Sequence, residues 1–494
     1  MLVHGFLGSA ATWDAYLGAD GYLAQVGLLG FALGSDEFGF GLPMGDVGRP
    51  RSTTNTIAQN AQILADAIAA VRQRTGAAAV DIVAHSMGGL VARYYVAQLM
   101  EEPDVAQLIL LGTPHGGSDC ALLPAALGFY LPAALELRPS YLAGIFNPQV
   151  VDLRGVTATT LAGTPIEEAF RAPCTGVPSD LVVDIDSAAA AGGELYRLPL
   201  LHTVLNSSAQ AFEEFVAPLL LRPNEPLAGA ESLPPPLLEA TQTTHVYSGV
   251  VRPGSSVEVE IDLDAVTVAS FAMFDPSTSL DVQVTGASGA LVTLTPEANG
   301  LIRVDDPASL VNLGYGFASP RPGPWRVAVL PGPNTPSSGA EFALLAKVVG
   351  GVTLTVRAEP LLPMIGELVT ITASVDDVAT DRDRDELVAV VRRPDGQVTR
   401  IALRPEPSSE SLAGAASEVP WVGSWRPKLA GLHSIDVMLS AVTSDGLDVE
   451  RTVELTVGVQ DGRGGQIVLL AAIVGLLALA TSSALLLRRT RAER

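Results

Sequence analysis

Residues Asp81-Ile82-Val83-Ala84-His85-Ser86-Met87-Gly88-Gly89-Leu90 carry an apolar run into a serine held between small residues. The pattern is G-x-S-x-G with Ala84 at the first glycine position. A serine hydroxyl is a weak nucleophile until the backbone presents it and a base takes its proton. A sharp strand-to-helix turn does the presenting, because small residues two before and two after the serine let the chain bend tightly. Ala79 to Ala84 reads as a buried strand, and Leu90 to Met100 as the helix that follows. A bare S-x-G says little in a chain with 48 glycines. The strand before it and the helix after it make Ser86 the expected nucleophile, with a structural turn as the plain alternative.

Acyl transfer also needs two backbone N–H groups aimed at the developing oxyanion. One belongs to the residue after the nucleophile, Met87. The other comes from a loop after an earlier strand, and Met1-Leu2-Val3-His4-Gly5-Phe6 has that form, with Phe6 N–H as the donor. The base comes from six histidines, His4, His85, His115, His202, His245 and His433. In a strand–elbow–helix hydrolase the order is Ser, acid, His. His115 directly follows the strand Val105 to Leu110 and leaves no room for the acid, so His202 is the expected base. The acid should follow the strand Val156 to Ala162. Asp180 is favoured, as a loop residue ahead of Leu181-Val182-Val183, and would orient the imidazole. Asp184 and Asp186 are the alternatives, which could also be solvated loop charges or oxygen ligands for Ca²⁺; Asp152 precedes the strand.

His4-Gly5, Ala84-His85-Ser86-Met87-Gly88-Gly89, Leu111-Gly112-Thr113-Pro114-His115-Gly116-Gly117-Ser118, Ser179-Asp180-Leu181-Val182-Val183 and His202 together resemble an α/β-hydrolase of the bacterial lipase/esterase group. The similarity covers about Met1 to Arg222. It implies Ser86 as nucleophile, His202 as base, Asp180 as its partner and Phe6 and Met87 as oxyanion donors, with no cofactor and no metal. Ala at the first elbow position is a variant found in that group. In the family a full central strand leads into the His-Gly loop, whereas only Met1 to Val3 precede it here. So short a central strand should leave neighbouring backbone groups unpaired. A start upstream of Met1 is the expected explanation.

The chain has 494 residues, 48% hydrophobic and 17% charged, and a net charge of −23. That length suggests about three domains. The charge argues against nucleic acid and against binding anionic membrane surfaces through the soluble part. Ile467 to Leu487 is uncharged, almost wholly apolar and about long enough to cross a bilayer, and Arg488, Arg489, Arg491 and Arg494 follow. Basic residues stay on the cytoplasmic side, so everything before Ile467 is expected outside, which requires an export signal that the upstream start would supply. Outside the cytoplasm the two cysteines, Cys120 and Cys174, could form one disulfide.

Asp119 to Phe146, rich in Leu, Ala and Pro, reads as a cap that lines an acyl pocket or acts as a lid, or as ordinary covering helices. Residues 223–242 read as a Pro-rich linker. Short alternating runs separated by Gly, Pro and Asp turns then fill 243–350 and 351–460, as expected for two β-sandwiches. They loosely resemble immunoglobulin-like modules and are expected to act as a stalk. The cluster Asp381 to Glu386 reads as a solvated loop. The expected fold is therefore an α/β hydrolase, a mostly parallel sheet with helices on both faces, followed by two all-β sandwiches and one transmembrane helix with a basic tail, 488–494. The expected activity is cleavage of carboxylic esters, lipids foremost. Acyltransfer or thioester cleavage uses the same machinery, and a surface binding protein with an idle hydrolase domain is the rival.

Overall fold

The computed structural model describes residues 1–35, 39–46, 52–127, 131–222, 227, 229–233, 242–375, 385–406, 419–444 and 446–461. The expected span 467–487, its tail, and residues 381–384 of the acidic cluster lie outside these. No helix among the described residues is long and apolar enough to cross a membrane.

The first domain is built on a six-stranded sheet. β1 (Leu2–Val3), β2 (Val80–His85), β3 (Val105–Leu111), β4 (Thr157–Gly163) and β5 (Gly193–Leu198) lie side by side in chain order, all parallel. β6 (Glu231–Leu233) closes the edge antiparallel to β5. Helix Ile57–Thr75 presents Ile57, Ala61, Leu64, Ile68 and Val71 as one buried stripe at helical spacing. Its first turn is held by a capping box in which Thr56 and Gln59 each bond the other's backbone N–H. The elbow helix starts at Met87, immediately after Ser86, and continues past Tyr94 as a wider turn to Leu99.

Two expectations are corrected here. The short first strand does not orphan its neighbours. Phe31 and Leu33 bond Leu2 on its free side (2.8 and 3.1 Å), and Val83 N–H donates to Met1 O (2.9 Å). The segment 223–242 is not purely linker, because Glu231–Leu233 adds a strand to the sheet of the first domain and Gln242 already opens the next domain. A three-residue edge strand has no hydrophobic alternation to reveal it.

The remaining chain forms two pairs of antiparallel sheets. The first pairs a four-stranded sheet (Val257–Leu263, Leu280–Thr285, Leu291–Val292, Gly323–Pro331) with a five-stranded one (Gln242–Val251, Val266–Phe274, Ile302–Arg303, Leu313–Ala318, Ala340–Gly350). The second pairs two four-stranded sheets between Leu354 and Val459.

The first sandwich is fused to the first domain rather than strung after it, and this corrects the stalk expectation. Successive strand residues face opposite sides. In Val266–Phe274, Phe271 and Met273 enter the sandwich core while Ala272 and Phe274 enter the core of the first domain. In Ala340–Gly350, Phe342 and Leu344 point one way and Ala343 and Leu345 the other. A sheet apolar on both faces must be covered on both.

The helices of Asp119–Phe146 supply much of the cover. Thr456 Oγ1 donates to Leu135 O (3.2 Å), and Arg138 pairs with Asp436 of the second sandwich (3.6 Å). Buried Arg451 pairs with Asp264, joining the two sandwiches to each other.

Candidate active site

β2 delivers Ser86 at φ 53°, ψ −128°, the strained turn that lifts its side chain off the sheet. The turn closes only because its surroundings are small. A Cβ on Gly88 would lie 2.6 Å from His4 O and 2.7 Å from Val3 O, and one on Gly5 would lie 2.6 Å from Ser86 Cβ. The His-Gly loop after β1 therefore runs directly against the serine.

Ser86, His202 and Asp180 stand in one hydrogen-bonded line. Ser86 Oγ is 3.0 Å from His202 Nε2, and His202 Nδ1 is 2.8 Å from Asp180 Oδ2. All three are buried, at 8%, 7% and 1% exposure respectively. A carboxylate only accepts, so Nδ1 carries the imidazole proton and Nε2 is left to accept from the serine hydroxyl. Asp180 reaches the line from a tight turn after β4. Its Oδ1 accepts the N–H groups of Val182 (3.0 Å) and Val183 (2.6 Å), and Leu181 takes a positive φ of 88° to bring them round. His202 N–H donates to Asp180 O (3.0 Å), so the loops that carry Asp180 and His202 are tied together.

The other expected residues fall as follows. Phe6 lines the cavity beside Ser86, and Met87 begins the elbow helix, fully buried. Cys120 and Cys174 form a disulfide that fastens the start of the cap to the Asp180 loop. Asp184 is not part of the line: its carboxylate caps helix Ile185–Ala189 through Ser187 N–H and also accepts Gly176 N–H, each at 2.6 Å. Asp186 sits in the first turn of that helix, and Asp152 Oδ1 accepts Arg154 N–H in an exposed turn. No group of three or more His, Cys, Asp or Glu placed to hold a metal occurs among the described residues. His115 is a buried structural residue, accepting from Arg93 at Nδ1 (2.9 Å) and lying 3.3 Å from Thr160 at Nε2.

Two contributors have no signature in the sequence pattern. His85 Nε2 donates to His202 O (3.0 Å), and the two rings lie 4.8 Å apart. Burial and the neighbouring His202 hold the His85 imidazole well below its usual pKa, so it braces the His202 loop as a neutral donor. The second contributor is the loop Asp306–Leu310 of the first sandwich, which shares the cavity over Ser86 with Phe6, Ala121, Leu137 and Val182. That cavity is about 70 Å³. Its roof is thus supplied by a segment more than 200 residues after the serine, as the numbers 86 and 306 show.

Residues 1–164 match the family model of the alpha/beta hydrolase fold. The structure resembles that of the Bacillus licheniformis lipase BlEst2 in its propeptide form, with a TM-score of 0.58 over 94% of each chain at 16% identity. The mature form of the same lipase aligns with 44% of this chain and 89% of its own, with a TM-score of 0.34 and 21% identity. No curated protein matches the sequence. The chain is an α/β-hydrolase fold carrying a β-rich C-terminal region.

Proposed function

We propose that the protein is a serine hydrolase that cleaves carboxylic esters, with lipid esters as the substrate class. The observation that carries this reading is the line Ser86–His202–Asp180 ending in an apolar-walled cavity. Ser86 Oγ attacks the ester carbonyl as His202 Nε2 takes its proton, and Asp180 steadies the resulting imidazolium. The N–H groups of Phe6 and Met87 receive the oxyanion. His202 then returns the proton to the leaving alkoxide, and water clears the acyl-enzyme by the same route. The likeness to a Bacillus licheniformis lipase supports the ester class.

The second half of the proposal is location. Ile467–Leu487 anchors the chain in a membrane with the enzyme outside and Arg488 to Arg494 in the cytoplasm. The Cys120–Cys174 disulfide favours an oxidising compartment.

Fluorophosphonate labelling tests the chemistry without a chosen substrate. The native protein should label, and Ser86→Ala should not. Asp180→Asn should lower ester turnover by roughly 10⁴-fold, because the imidazole loses its tautomer. Folded native protein that stays unlabelled would refute the reading and favour a binding role for the fold.

A further inference from the structure

The turn joining the first two strands of the second sandwich is unusually apolar. Leu362, Met364, Ile365 and Leu368 are each 38–46% exposed, and they are four of the eleven exposed large hydrophobic residues among those described. Four in seven positions make a patch, whereas the other seven are scattered along the chain and need no explanation.

The patch lies where the chain leaves the described structure. Gln460 N–H donates to Pro363 O (2.9 Å), and Ile365 N–H donates to Gln460 O (3.0 Å). From Gln460 to Ile467, the first residue of the 21-residue apolar stretch, is seven residues. A fully extended chain covers at most about 3.5 Å per residue, so Ile467 lies within roughly 25 Å of the patch in any conformation.

Charged side chains border the patch. The chain carries −23 overall, yet exposed Arg426 and Lys428 flank the turn. Arg426 Nη1 donates to Gly366 O (2.8 Å), and Gly366 N–H donates to Pro427 O (2.8 Å). Exposed carboxylates stand there too: Glu359 at the start of the turn, Glu367, which accepts Met364 N–H (2.8 Å), and Asp461 next to Gln460. Exposed apolar side chains bordered by charged ones, Arg426 and Lys428 among them, are suited to the boundary between acyl chains and headgroups.

We propose that the Leu362–Leu368 turn is a bilayer-contact surface, seated in the headgroup layer of the membrane that Ile467–Leu487 spans. It rests on that anchored reading. The second sandwich then lies on the membrane, and the enzyme is held at the lipid surface instead of on a stalk above it.

The test uses the full chain in vesicles of zwitterionic and anionic phospholipid. Cys120 and Cys174 are bonded to each other, so Met364→Cys provides a free thiol for an environment-sensitive fluorophore. Val398, 46% exposed on the same sandwich, is labelled in the same way as Val398→Cys for a control. The expected result is a blue shift at position 364 and loss of its fluorescence to lipids brominated near the headgroup, with neither at 398. Equal behaviour at both positions in protein that floats with the vesicles would overturn the contact and leave the anchor standing. Protein that does not float, or washes off at alkaline pH, would overturn both. A blue shift at 364 that grows with protein concentration in detergent would show that a second copy covers the patch, which also overturns the proposal.

Discussion

Ser86 holds a backbone conformation that costs a non-glycine residue about 1–3 kcal/mol and persists only where its surroundings over-determine it. Here they do. Ser86 N–H donates to Leu111 O (2.8 Å), Gly89 N–H donates back to Ser86 O (3.0 Å), and the His-Gly loop presses on the side chain. His202 opens a helical turn of only three residues, and its N–H donates to Asp180 O (3.0 Å). His85 adds a further tie by bonding the His202 carbonyl. His85→Ala should therefore lower kcat by roughly 10- to 100-fold, the scale of a small misplacement of a reacting group, with KM little changed. His85→Gln, which keeps a donor, should recover part of the loss. Steady-state kinetics on a soluble ester decides the matter, and an unchanged kcat in the alanine variant would remove His85 from the positioning machinery.

At the level of elements, the segment Asp119–Phe146 has two jobs. Ala121 and Leu137 wall the cavity, while Leu135 O and Arg138 bond the second sandwich. Its start is fastened by the disulfide to Cys174, across a separation of 54 residues. Closing a loop of that length stabilises by roughly 4 kcal/mol in the chain-entropy model. Replacing both cysteines with serine should lower the unfolding free energy by about 2–4 kcal/mol. It should also depress ester turnover, because Cys174 leads into the Asp180 loop. Thermal unfolding with and without reductant reads the first effect, and an unchanged midpoint would show that packing alone holds the cap.

For the whole molecule, the junction of hydrolase and sandwiches buries groups that titrate. Burial, reinforced by Asp436 and Asp119 and opposed by Arg138, pushes the Glu454 carboxyl up to about 8. Glu136 is likewise pushed up to about 8 by burial. The ordinary value of both is 4.5. Between these limits the unfolded chain has lost protons that the folded chain keeps, so each group's stabilising contribution is full below 4.5 and declines as pH rises toward 8. Denaturant unfolding from pH 5 to 8 should show stability falling, and Glu454→Gln should flatten that slope and leave Glu136's share. A slope unchanged by Glu454→Gln would mean that Glu454 is ionised in the fold.

Much of the site was legible because its logic is local. The apolar run, small flanking residues and following helix around Ser86 are features of ten consecutive residues, and chain order singles out His202. The choice among Asp180, Asp184 and Asp186 could not be closed that way. It depends on which carboxylate a turn aims at the base and which one caps a helix. The β strands were legible as strands, but the double-sided runs Phe271-Ala272-Met273-Phe274 and Phe342-Ala343-Leu344-Leu345 serve two cores at once. Periodicity reports that both faces are apolar and is silent about what covers each. Thus the sequence by itself determined the elbow, the histidine and the strand-rich second half, all set by short-range stereochemistry. Only the tertiary structure shows which carboxylate bonds His202, the His85 brace and the roof of Asp306–Leu310 over Ser86. These are contacts between segments from 22 to more than 200 residues apart, which form where buried surfaces find one another.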